Sequence, residues 1–174
     1  DPAVTANTHY NNILDQSVME DAQISYKSGA LLCGYSLSYD YYTTRTFIQY
    51  KNLPLLSSSD VIVNASLSLR CFEVSSTSAM TIEAHKVCDT WTSEGITWQN
   101  KPAFNPVIED YVQVGGEGWY TWDITDVARD WYVNKNTGLM LKASDAIESA
   151  GVENYKKFYS VDYSSINTED FAPC

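Results

Sequence analysis

Residues able to do acid, base or nucleophilic chemistry are few in this chain, and residues able to stack on sugars are many. The only histidines are His9 and His85. His85 stands beside Lys86 in a strand-like stretch, out of phase with Ala84, and no nucleophile motif surrounds it. Neither G-x-S-x-G nor H-E-x-x-H occurs. Carboxylates number 22, yet a glycosidase pair is defined by separation in space, so abundance assigns no pair. The residues therefore read as non-catalytic. Tyr35 to Tyr42 runs Y-S-L-S-Y-D-Y-Y. Sugar rings lay their C–H faces on aromatic rings, burying apolar area while the hydroxyls bond Asp, Asn or Gln. Tyr35, Tyr39 and Tyr41 share one alternating phase with Asp40 among them, and these four are candidate ligand contacts. Trp119 is a fifth: it follows Gly115-Gly-Glu-Gly118, and its phase opposite to Trp122 puts it on the solvent side of a strand.

Four cysteines, Cys33, Cys71, Cys88 and Cys174, contain no C-x-x-C pair, which argues against a zinc knuckle or a thioredoxin-like site. An even count in an acidic, Tyr/Ser/Thr-rich chain points to an oxidising compartment and to disulfides, with three connectivities open. Cys71 shares the phase of Leu67 and Leu69 and is expected to be buried. A hairpin of residues 67–72 with 80–87 would set Cys71 opposite about Met80, which argues against a Cys71–Cys88 rung. Cys174 would reach Cys33 or a partner chain. Asn64-Ala-Ser66 is a glycosylation sequon, expected on the outward face of its strand. The net charge of −11 repels phosphate backbones and disfavours nucleic acid. No run is long and apolar enough to insert directly into a membrane. The chain begins at Asp1 without a signal peptide, and reads as a mature chain or an excised segment.

These groups need elements to hold them. The length of 174 residues suits one domain, residues 1–174. The cleanest strand signal is Val63, Ala65, Leu67, Leu69 and Cys71 on one face, with Asn64, Ser66, Ser68 and Arg70 on the other. Ile13–Met19 suits a first edge; Ala22, Ile24 and Tyr26 alternate, as do Thr46, Ile48 and Tyr50. Met80, Ile82 and Ala84 start a further strand, and Tyr111–Val114, Tyr120–Ile124, Leu139–Leu141 and 157–162 follow. Thr125 reads as a helix N-cap, and Val127 and Trp131, four apart, would lay an indole on the core. Between Trp91 and Pro102 lies W-T-S-E-G-I-T-W-Q-N-K-P, an aromatic corner that Gly95 and Pro102 keep from being helical. Trp91, Trp98, Trp122 and Trp131 are expected to pack together between two antiparallel layers. The expected class is all-β, a jelly-roll-like antiparallel β-sandwich with one short helix.

The segment order resembles the DNRLRE-domain family, also described as disaggregatase-related or carbohydrate-binding module family ninety-six. The resemblance rests on Arg45-Thr-Phe-Ile-Gln-Tyr50, Leu53-Pro54 and Ile62-Val-Asn-Ala65-Ser-Leu67-Ser-Leu69. It continues through Trp91, Glu94, Ile96, Thr97, Trp98, Asn100 and Pro102, then Gly118-Trp119, Asp123-Ile-Thr125, Trp131, Gly138-Leu139-Met-Leu141 and Phe158-Tyr-Ser160. It covers about residues 20–173. It implies an extracellular β-sandwich module of a cell-surface or secreted protein that serves carbohydrate binding or adhesion, in some members on acidic polysaccharides such as alginate. Sugar-binding jelly rolls often carry one structural calcium ion, and Asp21 is the candidate ligand here. The family's closing strand, P-x-L-x-V-x-Y, would begin where this chain ends at Phe171-Ala-Pro173-Cys174. That strand is then either truncated or donated by a neighbouring subunit. The alternative function is accordingly a structural subunit of an extracellular fibre or sheath, joined to neighbouring surface-protein subunits by strand exchange or intersubunit disulfides.

Overall fold

The computed structural model describes residues 12–20, 29–37 and 43–161. Among them lie strands β1 (Ile13–Met19), β2 (Ala30–Tyr35), β3 (Thr43–Tyr50), β4 (Ser66–Val74), β5 (Met80–Lys86), β6 (Asp110–Val114), β7 (Gly118–Asp123), β8 (Leu139–Ala143) and β9 (Asn154–Tyr159). Helices α1 (Thr125–Val133) and α2 (Asp145–Glu148) complete the set. The strands pair in the order β6-β5-β8-β3-β2-β9-β4-β7, with β1 on the other edge of β3. Every pairing is antiparallel. The join between β2 and β3 is short: Gly34 opposite Thr44 and Tyr35 opposite Thr43. It divides the path into two layers, β1-β3-β8-β5-β6 and β2-β9-β4-β7. The path almost closes, because its ends β6 and β7 are consecutive in the chain and the Asp123 amide donates to Asp110 Oδ2 at 2.7 Å. The molecule is a jelly-roll-like antiparallel β-sandwich.

The main core lies between the layers. Leu67, Leu69 and Cys71 of β4, Trp122 of β7 and Phe158 of β9 face Ile48, Ile82, Ala84, Leu139 and Leu141, all buried. Alternation does this sorting, since every second side chain of a strand points to the same side. Trp122 donates its Nε1–H to the Ile82 carbonyl at 3.0 Å, so the largest buried ring leaves no orphan donor. Val127 and Trp131 of α1 close the core at one end, as their spacing predicts.

A second core lies outside the first layer. Phe47 and Met140 point away from the main core and join Val18, Val87 and Ile96, and Trp91, Trp98 and Phe104 pack on them. The segment between β5 and β6 thus folds over the outer face of its own sheet. This corrects the expectation for the tryptophans. Trp122 and Trp131 pack in the main core, whereas Trp91 and Trp98 roof the back of one layer. The reason is that β3 and β8 carry apolar side chains in both phases, so both faces of their layer need cover.

Three further expectations change. Strands β4 and β5 form no hairpin: β4 pairs with β7 and β9, and β5 with β6 and β8. Residues 75–79 carry the chain from one layer to the other. Strand β4 begins at Ser66, and Val63, expected to face inward, is 77% exposed. The chain turns from the sheet there because the Ala65 amide donates to Thr125 Oγ1 and the Ala65 carbonyl accepts from the Ile124 amide. Thr125 is the first residue of α1 rather than its cap, and its amide and hydroxyl donate to Asp123 Oδ1 at 2.9 and 2.6 Å. The short α2 is a second helix, against the one expected.

Candidate functional site

The two outer faces are not alike. That of the first layer lies under the tryptophan roof and buries charge as well as rings. Arg45 lies over Trp98, 5.0 Å from the ring centroid, and forks onto Glu148 at 3.0 and 2.7 Å. Lys142, its side chain 3% exposed, stands among three carboxylates: Asp145 at 2.7 Å, Glu83 at 3.5 Å and Glu148 at 3.8 Å. His85 lies in the same layer, Nδ1 against the Asn105 and Val107 carbonyls and Nε2 3.3 Å from Glu83. Each polar group here has a partner inside the protein, which suits a structural network.

The outer face of β9, β4 and β7 presents a row of rings and charged heads. Leu69 and Cys71 point inward, so Ser68, Arg70 and Phe72 point outward; the same reasoning turns Trp119 and Thr121 of β7 and Tyr155, Lys157 and Tyr159 of β9 out. Trp119 is 45% exposed and lies directly across from Arg70. A bulge between Cys71 and Glu73 leaves Phe72 beside Tyr159, ring on ring with centroids 4.4 Å apart. Glu73 links the far end: Lys157 Nζ lies 2.7 Å from its Oε1, and the Tyr155 hydroxyl donates to the same atom at 3.2 Å. Lys157 also lies over the Tyr155 ring at 5.4 Å. Burial holds the Tyr155 phenol above its ordinary value, against the pull of Lys157. Aromatic rings and cationic heads thus alternate across three adjacent strands, spaced about 5 Å apart. Such a surface can stack flat apolar rings and hydrogen-bond their polar edges.

Of the residues singled out from sequence, Trp119 stands on this face. Tyr35 ends β2, pairs with Asn154 of β9 and is half-buried, in the phase of Leu31 and Cys33. Tyr39, Asp40, Tyr41, Asp21 and Cys174 lie outside the described residues. Arg70, Phe72, Tyr155, Lys157 and Tyr159 were missed, although each alternates with a buried neighbour and that phase was readable. Asn64 is exposed, but in the segment before β4 and not on a strand. Among the described residues Cys33, Cys71 and Cys88 form no disulfide with one another. Cys33 and Cys71 are sealed in the core of one layer with β9 between their strands, and burial pushes the Cys33 thiol up to about 12. Cys88 is exposed.

A polar groove of about 420 Å³ lies between the start of α1 and the ends of β6 and β7, lined by Asn64, Glu109, Asp110, Asp123, Asp126 and Arg129 among others. Burial, with Asp126 nearby, raises the Glu109 carboxyl. Among the described residues no group of three or more His, Cys, Asp or Glu could hold a metal ion. No described helix is long and apolar enough to cross a membrane.

Comparison with known proteins adds one finding. Residues 20–169 match the model of a family described as carbohydrate-binding module family 96. No curated protein matches the chain.

Proposed function

We propose, for a chain that belongs to carbohydrate-binding module family 96, that the open face of β4, β7 and β9 is the surface that takes the polysaccharide. The module is non-catalytic and works outside the cell or at its surface, holding polymer for whatever protein carries it. The observation that carries this reading is the pair Trp119 and Arg70, an exposed indole directly across from a guanidinium on neighbouring strands. The indole offers an apolar platform for a sugar ring. The planar fork of Arg70 is of the geometry that suits carboxylates on that polymer, so the favoured ligand contains uronic acid. The test is titration of uronic-acid and neutral polymers into the wild-type protein and Trp119→Ala. Binding to the uronic-acid polymer, lost by about tenfold or more in the variant at unchanged melting temperature, is expected. Silence toward every polymer would overturn the reading.

The exposed Cys88 thiol supports a second reading, a fibre or sheath subunit joined by an intersubunit disulfide. A monodisperse monomer with and without reductant would remove it.

A further inference from the structure

Among the described residues two lysines are buried, and they are treated in opposite ways. Lys142 has three carboxylates, as a buried cation ordinarily requires. Lys156, on the inward phase of β9, is 0% exposed, and among the described residues no carboxylate lies within ion-pair distance. Its acceptors are neutral: the Ser76 carbonyl at 2.5 Å, the Ser78 carbonyl at 3.1 Å and Asn154 Oδ1 at 3.0 Å. Burial pulls its pKa below the ordinary lysine value, partly offset by the Cys71 thiol. An apolar side chain would fill this interior position at less desolvation cost. What the ammonium alone supplies is a pair of bonds from β9 to the loop between β4 and β5, with a third to Asn154 on its own strand. That loop also holds the Tyr155 backbone: the Ser75 amide donates to the Tyr155 carbonyl at 3.1 Å, and the Tyr155 amide to Ser75 Oγ at 2.8 Å. On the opposite side Gly34 of β2 lies so close that a Cβ there would stand 2.3 Å from the Asn154 carbonyl. Tyr155 and Lys157, the residues flanking Lys156, carry the outward ring and ammonium of the open face.

We infer that Lys156 is a positioning residue of the carbohydrate-binding face: its ammonium, seated in an oxygen cage of Ser76, Ser78 and Asn154, fixes the loop against β9 and so sets where Tyr155 and Lys157 stand. This rests on the proposed function for the identity of the face, but the tie itself is measurable without ligand. The experiment compares wild type, Lys156→Met, Lys156→Arg and Lys156→Ala, the last with and without n-propylammonium chloride as a replacement for the missing ammonium. Amide exchange at Ser75, Tyr155 and Lys157 is read first, then affinity for a uronic-acid polymer. Lys156→Met is expected to keep a cooperative melt, exchange faster at those amides and bind about tenfold more weakly. Lys156→Arg, which keeps a cation, should fall between it and wild type. n-Propylammonium should restore slow exchange and binding to Lys156→Ala, whereas 1-propanol, which fills the same void without the charge, should not. Unchanged exchange in Lys156→Met, or altered exchange with unchanged affinity, would overturn the inference. A wild-type protein that binds no polymer would sink the proposed face, while the exchange data would still report on the tie.

Discussion

Trp119 and Trp122 lie three residues apart on one strand and meet opposite environments. Trp122 spends its ring on the core and its N–H on Ile82, so its replacement should unfold the protein; Trp119 spends neither. Trp119→Ala is therefore expected to shift stability by less than about 0.5 kcal/mol while reducing polymer binding, a separation that melting curves and titration would show. Titrating side chains show a second contrast. A hydrogen bond from Lys142 holds the Asp145 carboxyl below its ordinary 3.8, and bonds from Lys86 and Asn134 hold Asp130 down likewise. Their folded values lie below their unfolded ones, so their stabilisation is full above the unfolded value and is lost as pH falls through the folded one. Glu109 runs the other way: its raised folded value favours the proton, a contribution present in acid and lost as pH rises through that value. The contribution of Asp145 and Asp130 should thus be lost below about pH 4, and Asp145→Asn, at a side chain 96% exposed, should change that loss only slightly.

Among the elements, the segment from Val87 to Glu109 matters most to the shape of the molecule. It has almost no regular structure, yet Trp91 donates to the Thr137 carbonyl at 3.0 Å and Asn100 ties Gly95 and Thr97 together. Phe47, on the sheet beneath, meets Trp91 edge to face at 5.8 Å. Phe47→Ala should cost about 3–5 kcal/mol and loosen the roof, read as faster amide exchange across residues 91–104. Gly34→Ala should cost about 2–3 kcal/mol, since β2 and β9 would have to part at an already positive φ of 123°. Strand positions were largely legible in the sequence, because two-residue alternation marks a half-buried strand. Partners were not: alternation says that Leu67 and Met80 both face inward, but not that their strands lie in different layers. The same limit hid the roof. Indoles at Trp91 and Trp98 announce burial, and only the structure tells which side of which sheet they cover. It also hid the open face, since Arg70, Phe72 and Tyr159 become a surface only when β9 is placed beside β4.

At the scale of the whole molecule, charge and ligand pull against each other. A net charge of −11 would repel a uronic-acid polymer at long range, whereas the proposed attraction of Arg70 for its carboxylates would act only at contact. Salt shortens the reach of the first effect, from about 30 Å at 0.01 M to about 8 Å at 0.15 M. The association rate with such a polymer should therefore rise with moderate salt, the reverse of a basic protein meeting the same ligand; stopped-flow mixing across that range would decide. Family membership suits this picture of a module that holds polymer.

The unequal cover over the two sheets has an optical consequence. Trp122 and Trp131 are sealed in the interior and Trp91 and Trp98 are partly shielded, while Trp119 is open to water. Collisional quenchers such as iodide or acrylamide should thus reach one emitter far more readily than the others, giving a downward-curving Stern–Volmer plot. Occupancy of the open sheet would straighten that curve, so the protein carries its own reporter of a seated polymer.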